Sequence, residues 1–153
     1  MANFHINGMN ELLGSIEQLA SLSDEEKMSV IMPGAEVALQ RQRKKIEELF
    51  VQRTGNLANS LTIEEKVGEN GPYAWIFPKG KHKGSSTGKR KGKRRSNGKY
   101  SGTNAEVAYI LEYGSPRIST PFHWMETANE EAIDEVTSAQ QDAWDELLTK
   151  KGL

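Results

Sequence analysis

Apolar residues recur at helical spacing at Met9, Leu12, Leu13, Ile16, Leu19 and Ala20, which predicts an amphipathic first helix. Ser23-Asp24-Glu25-Glu26 places a hydroxyl three residues before a carboxylate, the pattern of a capping box, so a second helix should start there. Pro33-Gly34 interrupts it. Proline is tolerated in the first turn of a helix, so a new helix is expected to begin near Pro33 and to run through Ala35, Leu39, Ile46, Leu49 and Phe50. The basic run Arg41-Gln42-Arg43-Lys44-Lys45 on that helix reads as solvated surface.

Thr54-Gly55-Asn56 ends the helix, with Gly55 supplying a backbone conformation closed to other residues. The period then changes. Leu61, Ile63 and Val67 alternate with polar residues, as in a strand with one buried face. Tyr73-Ala74-Trp75-Ile76-Phe77 is continuously apolar and reads as a more buried strand. The two are expected to pair as a hairpin across a five-residue loop, Gly68-Glu69-Asn70-Gly71-Pro72. Val107, Ala108, Ile110 and Leu111 begin a third apolar segment, strand or short helix, that stops at Gly114.

The final helix should be capped by Thr120, with Pro121 in its first position. Met125, Ala128, Ala132, Val136, Ala139, Ala143 and Leu147 form a narrow seam of mostly small residues, which lets a helix approach its neighbour closely. Acidic residues cover the other face, and Lys150 and Lys151 sit at the C-terminal end, where the helix dipole favours cations. These elements add up to a single α+β domain, residues 1–153. A small antiparallel sheet packs against a long C-terminal helix and N-terminal helices, and a long flexible basic loop, 78–103, is inserted between strands.

Charge sharpens this picture. The formal net charge of -1 is made of opposed blocks. Residues 79–99 hold ten Lys/Arg and no acid, which leaves ten basic and 21 acidic residues, or -11, for the rest. Gly, Ser, Lys and Arg dominate that stretch, so it cannot bury enough apolar surface to offset the entropy of ordering. Lys89, Arg90, Lys91, Lys93, Arg94, Arg95 and Lys99 are its candidate contacts with nucleic acid or with an acidic partner, because clustered cations neutralise phosphates without reading sequence. Tyr100 alone at its edge is a poor stacking platform for single strands.

Enzymatic chemistry finds little footing. The chain has no cysteine, which excludes disulfides and thiolate metal sites. His5, His82 and His123 lack ligand-spaced partners, and His123 beside Glu126 and Thr127 does not make a zinc pattern. The 84–90 stretch falls one residue short of a phosphate loop and ends in Arg where Ser or Thr is needed. Glu64-Glu65 and Glu130-Glu131 are adjacent, so their side chains diverge on a strand or a helix. No catalytic, metal-binding or cofactor-binding residue is assigned. Trp75, Trp124 and Trp144 read as core or interface residues. No signal peptide or membrane-length apolar run is visible, so the chain is expected to be soluble in a cytoplasm, with no membrane partner.

Two short segments carry a resemblance. One is Arg53-Thr54-Gly55-Asn56-Leu57-Ala58-Asn59-Ser60, and the other is Ala108-Tyr109-Ile110-Leu111-Glu112-Tyr113-Gly114-Ser115, succeeded by Pro121-Phe122 and a long helix. In this order they resemble the phage tail-component family typified by gene product ten of lambda-like siphophages, the tail-completion or head–tail joining proteins. The chain departs from that family's pattern at Val51-Gln52, where a proline is usual, at His123-Trp124-Met125, where a leucine and a second proline are common, and in the length of its basic insertion. The resemblance implies a non-enzymatic virion protein, made in the host cytoplasm. It would assemble as a ring of six copies at the neck, against neighbouring neck or tail-tube proteins and packaged DNA. It also implies that Arg53, Thr54, Gly55, Leu57, Ser60, Tyr109, Glu112, Tyr113, Gly114, Pro121 and Phe122 shape the fold and its subunit contacts, with Glu112, Tyr113 and Phe122 packing around the last helix. A nucleic-acid-binding protein acting through residues 79–99 is the alternative reading.

Overall fold

The computed structural model describes residues 9–49, 56–81, 103–116 and 120–152. Along these run helices α1 (Met9–Ala20), α2 (Asp24–Leu49) and α3 (Asn56–Ser60), strands β1 (Leu61–Gly68) and β2 (Gly71–Pro78), and helices α4 (Asn104–Tyr113) and α5 (Trp124–Lys151). The expected α+β architecture is present: helices with a two-stranded antiparallel sheet and a long C-terminal helix.

α1 forms where the periodicity placed it, yet Leu13 and Ile16 on its apolar side stay exposed. α2 begins with the capping box: the Glu26 N–H donates to Ser23 Oγ, and the Ser23 N–H donates to the Glu26 carboxylate. It does not stop at Pro33. A single helix of 26 residues runs through Pro33 and Gly34, against the expectation of a fresh start there. Packing explains why. α2 and α5 lie antiparallel along most of their lengths, cross-linked by Lys45–Glu131, Arg41–Glu135 and Lys151–Glu26 ion pairs. Burial of one continuous face overrides the local cost of the proline. At Gly34 the helices come so close that a Cβ would lie 2.7 Å from Gln140 Cγ.

Arg41 and Lys45 are therefore not plain solvated surface. Glu135 and Glu131 raise their pKa values above the usual ones, through hydrogen bonds first of all. Lys151 holds the Glu26 carboxyl below the usual carboxylate range, and the Ser23 N–H adds to that effect. Pro33 has no N–H to give to the Ser29 carbonyl, so Pro33→Ala should stabilise the chain by about 1–3 kcal/mol. Urea unfolding measures this, and a lower midpoint would mean that the proline ring is itself needed in the packing.

The hairpin pairs Leu61 with Pro78 through Gly68 with Gly71. Only Glu69 and Asn70 lie beyond the last pair, so the loop is two residues, not five, and Gly71 takes φ 112°. A two-stranded sheet covers one face only. Ile63 and Ile76 pack on the core, whereas Tyr73, Trp75 and Val67 are exposed, so β2 is not the more buried strand its composition suggested. The third apolar segment is helix α4, with a complete capping box between Thr103 and Glu106. The basic segment therefore joins a strand to a helix and is not inserted between two strands.

One core joins five of these elements, with Ile76 of β2 packed against it: Leu39 and Ile46 of α2, Leu57 and Ala58 of α3, Leu61 of β1, Ala108 of α4 and Trp124 of α5. Beside it the chain on either side of residues 82–102 is drawn together. Lys81 bridges to Thr103, the Asn104 N–H donates to the Gly80 carbonyl at 3.0 Å, and Asn104 Nδ2 donates to the Lys79 carbonyl at 2.8 Å. Asn104 is itself buried.

Candidate functional site: the α4–α5 junction and two aromatic faces

α4 ends at Gly114, where φ 82° and ψ -176° suit only glycine, and the Gly114 N–H closes the helix on the Ile110 carbonyl. The chain returns through Pro121, Phe122 and His123 along that same end. The Phe122 N–H donates to the Leu111 carbonyl at 3.0 Å and the His123 N–H to the Glu112 carbonyl at 3.3 Å. Backbone groups left unsatisfied at the end of α4 are met by this segment.

α5 starts at Trp124, three residues after the expected first position at Pro121. Its cap residue is His123, in the left-handed region at φ 47° and ψ 39°, with no side-chain capping bond; Thr120 does not cap the helix. The cap comes from another element. The Glu112 side chain, on a residue 3% exposed, accepts the Met125 N–H at 2.7 Å on one oxygen and the Glu126 N–H at 3.1 Å on the other. A carboxylate at the positive end of a 28-residue helix is favoured by the dipole as well as by the two hydrogen bonds. Next to it the Trp124 indole is 0% exposed and donates from Nε1 to the Ala108 carbonyl at 3.3 Å. Glu112 and Trp124 together lock α4 to α5.

Glu112, His123 and Glu126 bring potential ligand atoms within 4.8 Å of one another. Both Glu112 oxygens already accept backbone N–H groups at a helix N-terminus, where the field opposes a cation, and His123 Nδ1 lies 3.3 Å from Glu126 Oε2. The geometry is that of a helix cap.

The other face of α4 is different. Glu106, Tyr109 and Tyr113 step by three and four residues along it. Tyr109 and Tyr113 are 63% and 62% exposed, and their ring centroids lie 4.9 Å apart. Phe122 is exposed too. Of the residues expected to pack around the last helix, Glu112 does so, while Tyr113 and Phe122 present themselves at the surface.

The hairpin carries a second aromatic row on its outer face. Tyr73, Trp75 and Phe77 alternate along β2 opposite Lys66, Glu64 and Thr62 of β1. Trp75 is 50% exposed, 5.2 Å from Phe77 between ring centroids, with Lys66 Nζ 4.3 Å from its own ring. Lys66 and Lys79 each lie 3.6 Å from Glu64. A continuous apolar run gives Tyr73 and Phe77 no surface role and leaves Trp75 between core and interface. Taking Tyr73, Trp75 and Phe77 with a period of two, as one side of a hairpin too small to be covered twice, would have found the row.

Of the other motif positions, Leu57 is buried in the core and the Ser60 hydroxyl donates to the Leu57 carbonyl at 2.7 Å, closing α3. Arg53, Thr54 and Gly55 lie outside the described residues, as do Lys89, Arg90, Lys91, Lys93, Arg94, Arg95 and Lys99. Lys79 and Lys81, at the start of the basic segment, are exposed. Among the described residues no helix is long and apolar enough to cross a membrane. No protein-family model, curated protein or solved structure matches the chain.

Proposed function

We propose that this chain is a structural virion protein of a tailed phage, a tail-completion or head–tail joining component that assembles as a ring at the neck through protein–protein contacts. One observation carries the reading: the way the motif at 108–115 divides between inside and outside. Ala108 and Glu112 turn inward, where they receive Trp124 and the first N–H groups of α5. Tyr109 and Tyr113 turn outward as a paired aromatic row. A segment that locks two helices and also displays tyrosines suits a rigid part that docks on its neighbours, because such aromatics anchor interfaces at low entropic cost. The basic segment 79–99 adds charge suited to packaged DNA or to an acidic neighbour in the neck or tail tube.

The test is electron microscopy of particles from the encoding phage after deletion of this one gene. DNA-filled heads lying apart from unjoined tails are the expected result. Joined, infectious virions would overturn the assignment.

A further inference from the structure

Five exposed aromatics are found among the described residues: Tyr73, Trp75, Tyr109, Tyr113 and Phe122. The first two lie on the outer face of the hairpin, the next two on the outer face of α4. Their neighbours fix how the faces point. Ile76, between Trp75 and Phe77, packs on the same core as Val107 and Leu111, which flank Tyr109 on α4. The two aromatic rows therefore both face away from a shared core.

Their charges are complementary. Lys66, over the Trp75 ring, and Lys79 share the single carboxylate of Glu64, which leaves one positive charge in excess. The α4 row has Glu106 in line with its tyrosines, and exposed Glu126 lies at the α4–α5 junction. Pairing like rows would set lysine against lysine, or glutamate against glutamate. Pairing unlike rows sets lysine against glutamate across an aromatic centre, with Trp and Tyr as the side chains that most often anchor such contacts.

We propose that the Tyr73–Trp75 face of one copy docks on the Tyr109–Tyr113 face of the next. This inference rests on the ring-assembly reading and adds the contact by which the ring would close. A head-to-tail joint between two different patches generates rings or open filaments, whereas a joint between identical patches stops at a dimer.

The absence of cysteine from the chain makes the test direct. Tyr73→Cys and Tyr109→Cys are made singly and together in the full chain, and each protein is treated with a short bismaleimide. The double variant should give a ladder of covalent oligomers that ends at the size of the native assembly, while neither single variant cross-links. In parallel, Trp75→Glu should weaken self-association at least about tenfold in sedimentation or native mass spectrometry, as expected for a central anchor, with its melting curve unchanged. Covalent dimers from a single variant would show like pairing with like and would overturn the proposal. An intact ring in Trp75→Glu, without a ladder from the double variant, would overturn this contact and leave the ring standing. If Trp75→Glu kept the ring but lost affinity for oligo(dT), the hairpin face would be a base-stacking platform and the proposal would fail. A wild-type chain that stays monomeric at every concentration, alone or with tail tubes, would remove the ring reading itself.

Discussion

Replacing Trp124 by alanine should cost about 3–5 kcal/mol, the usual range for truncating a large buried aromatic. The indole is wholly enclosed, and it touches the core where α2, α3, β1 and α4 meet. Ala58 and Ala108 in the same core are too small to fill the gap. Against a total stability of roughly 5–15 kcal/mol, that loss takes a fifth of the fold's stability or more. Trp124→Phe separates volume from hydrogen bonding. The Ala108 carbonyl lies inside a helix, where it already has an i to i+4 donor, so losing the indole N–H leaves no orphaned acceptor. The phenylalanine variant should therefore lose only about 1–2 kcal/mol. Urea melts monitored by circular dichroism measure both. Equal losses from the two variants would mean that the hydrogen bond, not the packing, holds the junction.

Glu112→Ala should cost about 3–6 kcal/mol, because each hydrogen bond to a buried charge contributes about 1.5–3 kcal/mol and two are lost together. The Met125 and Glu126 N–H groups in the first turn of α5 would lose their side-chain partner. Glu112→Gln is the informative companion. Its amide oxygen can accept one N–H, but its NH2 group must face the other, donor against donor. A loss of about half that of alanine or more is expected, even though glutamine has nearly the same shape. Chemical denaturation gives both numbers, and hydrogen exchange at Met125 and Glu126 localises the effect. A glutamine variant as stable as the parent would show that shape, not charge, makes the cap.

Which features could be read from the sequence depends on how local their causes are. The capping box at Ser23 and Glu26 was legible because both partners sit three residues apart and need nothing else. The hairpin was legible from the alternation of Leu61 and Ile63, but its two-residue turn was hidden by a glycine at each end of a longer polar stretch. Pro33 misled because local chemistry favours a break, and only the length of α5 lying beside α2 shows why the helix continues. The start of α5 misled for a related reason. Thr120-Pro121 is a sound local start signal, but the cap actually used is Glu112, on another helix. At the candidate site, the motif residues could be named from their resemblance, while their division into inward Glu112 and outward Tyr109 and Tyr113 depends on which side of α4 meets Trp124. The Tyr73–Trp75 row was missed because an apolar run looks buried until the number of strands available to cover it is known.

The bridge between Lys81 and Thr103, tied down by Asn104, makes the basic segment and the body separable traits. Lys81 and Thr103 are held side by side, so the number of residues between them has little leverage on the rest of the chain. Doubling the length of a flexible connection between fixed ends costs only about 0.6 kcal/mol. Selection can thus lengthen, shorten or recharge that segment, while the helices and the hairpin go on folding as before.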